Sequence, residues 1–398
     1  MADFNQRIQD LVNYAYQHAP AIQDIMKQNN LTPADIQSTD DLSKIPVLSK
    51  DELVEIHRNN PPFGGFLTVD PADLPRIYIS PGPIYDPQPI QENPEASLAP
   101  FKYVGFGRGD RVLNTFMYHL TPAGILLDDG IRACGATVIP SGPGNTDLQI
   151  MMTMALGVTG FVGQPSYLMQ ILDKMEEMGI DATQNPIKKA LFSAEPYMPS
   201  QRSRFEETYG MKTTSAYGTA DLGFLGYTKA GVEGFCLLDT VYVQIVDPET
   251  GQDVELGHIG EIVVTTFNKS YPLIRFGTGD LGALAAEPAC EGQQLTGLFG
   301  RSGDAIKVRG MFLHPNQLLA ASTYLPEIKK IQAIITRPEN KDFVTIRIAT
   351  QDGSEDLALA EKLKGLAQNA VRLRIDEVLF AKEDDISGRT IIDERKWD

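Results

Sequence analysis

Cysteine and positive charge are both scarce in this sequence, and each shortage excludes a class of protein. The 398 residues include three cysteines, Cys134, Cys236 and Cys290, with none of the close spacings seen in zinc sites or secreted disulfide frameworks. A reducing, cytoplasmic environment is therefore expected. The 35 Lys and Arg against 52 Asp and Glu give a net charge of −17. Such a surface repels polyanions, so we expect no nucleic-acid partner and no binding to membranes.

Long apolar runs are also missing, although one stretch has to be weighed. Residues 148–172 carry no charge over 25 positions, and about 20 apolar residues can span a bilayer. Glycines and polar side chains interrupt this stretch, which predicts a helix, a short strand and a new helix instead of a membrane span. The first seven residues contain an early acid and no apolar core, so no signal peptide is expected.

The remaining composition is that of an ordinary globular protein, and its patterning predicts an α/β fold. Hydrophobic residues make up 42% of the chain and charged residues 22%. Residues 6–60 have helical periodicity, including a capping box from Ser49 to Glu52. Between residues 76 and 235, apolar strands alternate with helices, and this alternation predicts a parallel sheet. The strands are expected at residues 111–115, 136–139, 158–162 and 190–193.

Two changes of pattern divide the rest of the chain. Alternating strands around a turn at 247–251 predict a small antiparallel β subdomain. After Gly300, further strands and a helix over 357–366 predict a separate small α+β domain. The expected fold class is therefore α/β: a large N-terminal domain, residues 1–299, with mostly parallel sheets plus a small β subdomain, and a small mobile C-terminal α+β domain, residues 300–398.

Four polar motifs follow one another along the chain, and together they indicate nucleotide chemistry. Ser193-Ala194-Glu195-Pro196 leaves the end of a predicted strand. Ala216–Asp221 brings together an aromatic ring, a glycine, a hydroxyl and a carboxylate, which can stack a base, approach a phosphate and hold Mg²⁺. Pro272–Asp280 ends in a carboxylate on a glycine turn, a shape that suits ribose hydroxyls. Gly300–Gly310 concentrates three cations at the predicted domain boundary.

With these motifs the sequence resembles the adenylate-forming superfamily, and most closely the phenylacetate–CoA ligase family. The resemblance runs nearly end to end. Its further matching segments are Ile36–Leu42, Ile45-Pro46, Ser49–Asp51, Tyr118–Leu120, Gly135–Pro140, Gly144–Thr146 and His314-Pro315. It implies that ATP and a carboxylic acid, aromatic or otherwise small, form an acyl-adenylate that coenzyme A then captures. It also implies that the small C-terminal domain rotates between these two half-reactions.

The resemblance assigns roles to individual residues. Those expected to hold the nucleotide are Ser193, Ala194, Glu195, Pro196, Tyr217 and Gly218 at adenine, Thr219 at a phosphate, and Asp280 and Arg301 at the ribose. Asp221 is expected to hold Mg²⁺, and Asp304 is expected to act as a hinge. The thioester-forming side is expected to contain Lys307, Arg309 and Gly310, and the acyl pocket is expected to contain Tyr118 and His119.

The largest departure from the family lies in its phosphate-binding loop. The family sequence, Ser-Ser-Gly-Thr-Thr-Gly-Lys-Pro, holds the β- and γ-phosphates with N–H groups, hydroxyls and a lysine. The corresponding stretch of this chain is Ile79-Ser80-Pro81-Gly82-Pro83-Ile84-Tyr85-Asp86-Pro87. Its prolines remove N–H donors, the lysine is absent, and Asp86 adds a repelling charge. We therefore expect ATP-dependent adenylation to be weak or lost.

Two catalytic positions also depart from the family pattern. In the family a lysine follows a glycine near the C-terminus, whereas this chain has Arg389 or Ser387 at the equivalent place. Arginine keeps the charge but changes reach and geometry. Asp221 replaces a glutamate and is shorter by one methylene.

These departures leave three functions open. The first is an acid–thiol ligase that uses ATP, Mg²⁺ and coenzyme A. The second is a homologue that binds AMP or acyl-CoA without adenylation. The third is a transferase that passes a preformed activated acyl group to a thiol or an amine. A homodimer is compatible with each of them, and the sequence does not identify the acid.

Overall fold

The structure is a computed structural model that describes residues 4–80, 84–88, 90, 95–301, 306–309, 311–313, 315–371, 373–386 and 388–396. The chain divides into two compact units, Met1–Ser302 and Gly303–Asp398. The boundary predicted from sequence lies between residues 299 and 300.

Ten α-helices lie in the described residues. They are α1 Phe4–His18, α2 Pro20–Gln28, α3 Lys50–Asn59, α4 Ala99–Val104, α5 Pro122–Ala133, α6 Thr146–Leu156, α7 Pro165–Glu177, α8 Pro199–Ser203, α9 Pro315–Thr323 and α10 Leu357–Val371.

The described strands number nineteen. They are β1 Ile77–Ser80, β2 Ile84–Pro87, β3 Arg111–Asn114, β4 Thr137–Pro140, β5 Gly160–Gly163, β6 Lys189–Phe192, β7 Lys212–Thr219, β8 Gly223–Tyr227, β9 Phe235–Leu237, β10 Val241–Val246, β11 Gly260–Thr266, β12 Phe276–Leu284, β13 Gln294–Arg301, β14 Ile306–Val308, β15 Met311–Leu313, β16 Ile328–Thr336, β17 Phe343–Thr350, β18 Glu377–Phe380 and β19 Ile391–Asp393.

One eleven-stranded sheet organises the first unit, in the order β10-β11-β12-β13-β9-β8-β7-β6-β5-β3-β4. Its strands are parallel from β4 to β7 and antiparallel from β7 to β10. The predicted parallel strands are confirmed. The antiparallel strands, expected as a subdomain, continue the same sheet because β7 is long enough to pair with β6 along its first half and with β8 along its second.

The uncharged stretch 148–172 forms parts of α6 and α7 with β5 between them, as the glycine pattern predicts. All four residues of β5 are buried, as expected for a central parallel strand. Within the described ranges no helix combines the length and the apolar content that a membrane crossing requires.

The N-terminal helices share their hydrophobic core with a segment that lies far along the chain. Buried residues of α1, α2 and α3, among them Ile8, Ile22 and Leu53, pack with the apolar side chains of residues 271–276. The predicted capping box starts α3: Ser49 Oγ accepts from Glu52 N, and the Ser49 N–H donates to Glu52 Oε2 at 2.8 Å. This core fixes the position of the first turn of α3.

The second unit is built on a four-stranded sheet ordered β18-β17-β16-β19. Leu318 of α9 and Leu363 of α10 are fully buried with the apolar residues of β16 and β17. The predicted α+β pattern is confirmed for this unit.

Cys236 and Cys290 form a disulfide with a Cα–Cα distance of 5.6 Å. The sequence does not predict this pairing, because the two cysteines are 54 positions apart and lack the close spacings of a disulfide framework. They meet because β9 pairs with β13, which starts four residues after Cys290.

Candidate active site

Most of the predicted nucleotide-binding residues lie where parallel strands end. Ser193–Pro196 follows β6, and Tyr217–Thr219 forms the end of the neighbouring β7. Ligands of α/β proteins usually bind at the carboxyl edge of such strands. Asp280 and Arg301 reach the same sheet from β12 and β13, where they are directly paired across the two strands.

The Ser193–Pro196 turn is held by its own side chains. Ser193 Oγ donates to the Ala216 carbonyl at 2.9 Å, and the Ser166 N–H and Oγ donate to the Glu195 carboxylate at 2.7 and 3.0 Å. Ala194 has a φ of 76°, a left-handed conformation that costs a residue other than glycine about 1–3 kcal/mol. Ser193 and Glu195 therefore position the turn, and the predicted adenine contact of this motif stays a prediction.

Tyr217, Asp280 and Arg301 form one connected group. The Tyr217 hydroxyl donates to Asp280 Oδ2 at 2.9 Å, and Arg301 Nε donates to Oδ1 of the same carboxylate at 2.9 Å. Burial, and then the charge of Asp280, raise the pKa of Tyr217 well above its ordinary value, so its hydroxyl keeps its proton and acts as a donor. The structure thus brings together three residues that the sequence spreads over 85 positions.

Glu261 is a neighbour of this group that sequence reasoning missed. Its Oε1 accepts from the Gly279 N–H at 3.0 Å, and burial raises the pKa of its carboxyl while that hydrogen bond lowers it. Glu261 lies in β11, which pairs with β12 beside the Asp280 turn, and no local sequence pattern marks this position. It supports the glycine turn from which Asp280 projects.

Asp221 lies in the turn of the β7–β8 hairpin and pairs with Lys50. Lys50 Nζ is 3.1 Å from Asp221 Oδ2 and 3.4 Å from Oδ1. The Asp221 side chain is 4% exposed and that of Lys50 is 20% exposed. Thr219 Oγ1 accepts from the Leu222 N–H at 3.2 Å and shapes this turn. Lys50 is the first residue of α3. It belongs to the segment Ser49–Asp51 that resembles the family, but the sequence predicts no role for it.

The residues around Asp221 do not form a Mg²⁺ cage. Its carboxylate, expected to hold Mg²⁺, is already balanced by the Lys50 ammonium. In the described part of the chain, no three His, Cys, Asp or Glu side chains lie close enough together to bind a metal ion. We therefore assign no reaction step to a protein-held metal.

A buried polar cluster lies on the inner side of α3. His57 Nε2 and the Tyr271 hydroxyl are 2.9 Å apart, and the pKa of Tyr271 is raised well above its ordinary value by burial and then by the charges of Asp86 and Asp221. Asp86 is expected to repel phosphate. In the structure this residue is only 5% exposed and lies on the buried face of β2. Residues 81–83 of that loop lie outside the described residues, so its effect on adenylation stays a prediction.

We expect His57 to make stability pH-dependent. Burial lowers the pKa of His57 below its ordinary value of 6.5, and the opposing effect of Asp221 is smaller. In the unfolded chain His57 binds a proton near pH 6.5, whereas in the folded protein it binds one only at lower pH. The free energy of unfolding therefore falls as the pH drops below about 6.5, and above that pH it does not depend on His57. Melting temperatures from pH 5 to 8 should fall more steeply for wild type than for His57→Gln. His258 is exposed, so the control variant His258→Gln should keep the wild-type profile of melting temperature against pH. Parallel profiles for wild type and His57→Gln would contradict the role given to His57.

The two predicted acyl-pocket residues have different surroundings. The Tyr118 hydroxyl donates to Asp128 Oδ2 at 3.0 Å and accepts from Asn114 Nδ2 at 2.8 Å, so its ring is fixed at the end of β3. His119 is exposed. The next residue, Leu120, has a φ of 63° and accepts from the Ile79 N–H of β1 at 2.8 Å. The pocket role of both residues stays a prediction.

The structure describes three of the predicted site residues of the second unit. Arg309 donates to the carbonyls of Asp342 and Arg374 at 3.1 and 2.8 Å and pairs with Asp376, so its guanidinium is engaged within this unit. Arg389 is exposed, and its carbonyl accepts from Gln332 at 2.9 Å. Lys307 lies in β14. The predicted residues Asp304, Gly310 and Ser387 lie outside the described residues.

Comparisons with known proteins identify the family of this chain. Residues 108–268 match the family model described as AMP-binding enzyme. The chain is 30% identical over 325 residues to a phenylacetate-coenzyme A ligase of Aromatoleum evansii, covering 79% of this chain and 73% of that protein. It is 25% identical over 398 residues to the phenylacetate-coenzyme A ligase of Escherichia coli K12, covering 95% of this chain and 88% of that protein.

Solved structures of similar fold include a 2-hydroxyisobutyryl-CoA ligase in complex with 2-HIB-AMP and CoA. Its TM-score is 0.89 at 23% identity, covering 99% of this chain and 89% of that one. An amide bond synthetase from Marinactinospora thermotolerans gives a TM-score of 0.59 at 17% identity, covering 77% of this chain and 65% of that one. These likenesses confirm the predicted fold class.

Proposed function

Because the chain belongs to the phenylacetate–CoA ligase family of AMP-binding enzymes, we propose that it activates a carboxylic acid as an acyl-adenylate and transfers the acyl group to coenzyme A. The observation that carries this proposal is the connected Tyr217–Asp280–Arg301 group. A carboxylate fixed by a tyrosine and an arginine can accept two hydrogen bonds from ribose hydroxyls without further reorganisation. The acid is proposed to be aromatic or otherwise small.

Lys50 is proposed to supply the positive charge that the phosphate loop lacks. Its ammonium lies beside Asp221, in the hairpin that also contains Thr219. It begins α3, whose N-terminus adds a partial positive charge. We infer that Asp221 positions Lys50 toward the phosphates. Mg²⁺, the family's usual partner of ATP, would then enter with the nucleotide, since it commonly binds through phosphates and few carboxylates.

The second candidate is a homologue that binds AMP without adenylation. The prolines and the missing lysine of the 79–87 stretch favour it. ATP–pyrophosphate exchange over a panel of aromatic and short-chain carboxylic acids separates the two candidates. Exchange with one of the acids, followed by CoA thioester formation, supports the ligase. AMP binding with no exchange for any acid supports the binder.

A cytoplasmic location and a homodimer are further proposals. The exposed side chains of Leu148 and Met151 give α6 an apolar surface patch on which two copies of this chain can meet. Light scattering after gel filtration tests the dimer. Thiol labelling of Cys236 and Cys290 in freshly lysed cells tests the reducing location.

We expect Asp280→Ala to weaken AMP binding by about 1.5–3 kcal/mol, roughly 10- to 150-fold, the range for hydrogen bonds to a charged group. The substitution removes the acceptor for ribose and leaves Arg301 without its carboxylate. Isothermal titration with AMP measures the change. Glu287→Ala, an exposed acid outside the group, is the control. Equal AMP affinity in wild type and Asp280→Ala would show that the ribose lies elsewhere.

A further inference from the structure

The disulfide between Cys236 and Cys290 lies at the shortest strand of the large sheet. That strand is β9, with three residues. It pairs with β13 through Cys236 and Gln294 and through Phe235 and Leu295. Cys290 belongs to the connection between β12 and β13. The disulfide therefore adds a covalent link between β9 and the β12–β13 hairpin, at a junction where the strands themselves are briefly paired.

This junction lies between the strands that carry Tyr217 and Asp280. Tyr217 is in β7 and Asp280 is in β12, and the sheet order β7-β8-β9-β13-β12 places three strands between them. The Tyr217 hydroxyl nevertheless donates to Asp280 Oδ2 at 2.9 Å. The sheet thus curls around a core that contains Leu225, Leu237 and Leu295. The contact between Tyr217 and Asp280 therefore depends on how β9 and β13 are held together.

Both sides of the junction also contact this group directly. The rings of Phe235 in β9 and Tyr217 have centroids 5.8 Å apart. Arg301, at the end of β13, is paired with Asp280 across the two strands. A shift of β9 relative to β13 would therefore change the position of Tyr217 relative to Asp280 and Arg301. The disulfide opposes such a shift, because a crosslink removes conformations in which its two segments separate.

The two sulfurs of the disulfide differ in exposure. Cys236 is 3% exposed, whereas Cys290 is half-buried. Cys290 is therefore the sulfur that a small thiol or disulfide reaches from solution. The third cysteine of the chain, Cys134, is a free thiol at the C-cap of α5, outside the junction.

We propose that Cys236 and Cys290 are a redox-sensitive modification site that exchanges with small-molecule disulfides and sets the affinity of the nucleotide site. The Cys290 thiolate attacks one sulfur of oxidised glutathione, which forms a mixed disulfide and releases one glutathione. The Cys236 thiolate then attacks Cys290 Sγ, closes the protein disulfide and releases the second glutathione. The two cysteines lose two electrons and two protons, and the two reduced glutathione molecules carry them away.

This inference rests on the proposed function, because it takes the Tyr217–Asp280–Arg301 group as the AMP site. The closed disulfide holds that group in the arrangement described above, and the open dithiol frees β9 to move against β13. We therefore expect the oxidised protein to bind AMP more tightly than the reduced protein.

The experiment compares the full chain after treatment with oxidised glutathione and after treatment with excess reduced glutathione. Isothermal titration should show AMP binding about 5- to 10-fold tighter in the oxidised protein, the lower part of the range for coupling between two sites. Maleimide labelling in denaturant should modify one cysteine in the oxidised protein and three in the reduced protein. Equal AMP affinity in the two states, or three labelled cysteines after oxidation, would overturn the proposal.

The reverse measurement is an independent test. Coupling between two sites is reciprocal, so saturating AMP should shift the glutathione equilibrium toward the protein disulfide by the same factor. An equilibrium that AMP leaves unchanged would overturn the proposal. If neither redox state binds AMP, the proposed function fails and this inference fails with it. Equal AMP binding by both states contradicts the redox inference alone.

Variants assign the effect to the two cysteines. The double variant Cys236→Ser with Cys290→Ser should bind AMP like the reduced wild type, with or without oxidised glutathione. Cys134→Ser is the control and should keep the full response to oxidised glutathione. A response that persists in the double variant, or that is lost in Cys134→Ser, would overturn the proposal. If the double variant does not fold, the two redox states of the wild-type chain still decide the question.

Discussion

ATP–pyrophosphate exchange by Lys50→Met is expected to fall about 10²- to 10³-fold relative to wild type, the loss seen when one preorganised charge-stabilising donor is removed. Charge develops on the α-phosphate and the leaving pyrophosphate during adenylation. The 79–87 stretch offers no lysine to meet that charge. Lys50, held against the buried Asp221 carboxylate, is the cation that we propose to meet it. Because the loss is specific to the reacting phosphates, AMP binding should change by no more than about threefold.

Three further variants define the Lys50 test. Lys44→Met removes an exposed lysine of the same segment that pairs with Asp41, and should exchange like wild type. Lys50→Arg retains the charge with altered geometry and should recover part of the rate. Asp221→Asn should reduce exchange less than Lys50→Met if Asp221 positions the lysine. A larger loss in Asp221→Asn, or none in Lys50→Met, would return Asp221 to the role of a direct metal ligand.

Arg275→Met should lower the free energy of unfolding by about 3–5 kcal/mol, the usual range when one partner of a buried charged interaction is removed. Arg275 is 1% exposed, and its guanidinium donates to the carbonyls of Ser43, Ile45 and Gly251. Burial lowers its pKa, and these carbonyls are the groups that stabilise the cation there. Methionine fills the space but leaves the three carbonyls without that donor, each a cost of about 1–3 kcal/mol before relaxation.

Urea unfolding measures this loss, with Arg58→Met as the exposed control, since Arg58 pairs with Glu55 on the outer face of α3. Arg275→Lys should lie between wild type and Arg275→Met, because lysine keeps the charge and lacks the planar fork. A loss below about 1 kcal/mol would mean that water replaces the guanidinium and that the N-terminal helices are held by their apolar contacts alone.

The parts of the fold that the sequence predicts best depend on residues that are neighbours in the sequence. The capping box at Ser49 and Glu52 starts α3 as expected, because both partners lie within one helical turn. Buried runs such as that of β5 identify parallel strands because a central strand is apolar on both faces. The strands expected as a small antiparallel β subdomain continue the parallel sheet through β7, and this continuity depends on the length of β7, which alternation does not encode.

The contacts that assemble the candidate site join distant positions, and no local pattern marks them. Lys50 and Asp221 are 171 residues apart, and Arg275 meets Ile45 across 230 residues. Family motifs identified Asp221, Asp280 and Arg301 singly, but the pairing of Asp221 with a lysine follows from how α3 packs beside the hairpin. Glu261 was missed because a glutamate in a strand is equally compatible with an exposed face.

The long-range core of the N-terminal helices also sets an order of events during synthesis. Residues 4–59 leave the ribosome first, yet residues 271–276, which complete their core, follow some 230 positions later. At about 5–20 residues per second, the delay is about 10–50 s. During that time the core of α1, α2 and α3 lacks the buried side chains that residues 271–276 contribute. The segment that contains Lys50 therefore reaches its final packing only after the start of β12, with which Leu48 pairs, has been made.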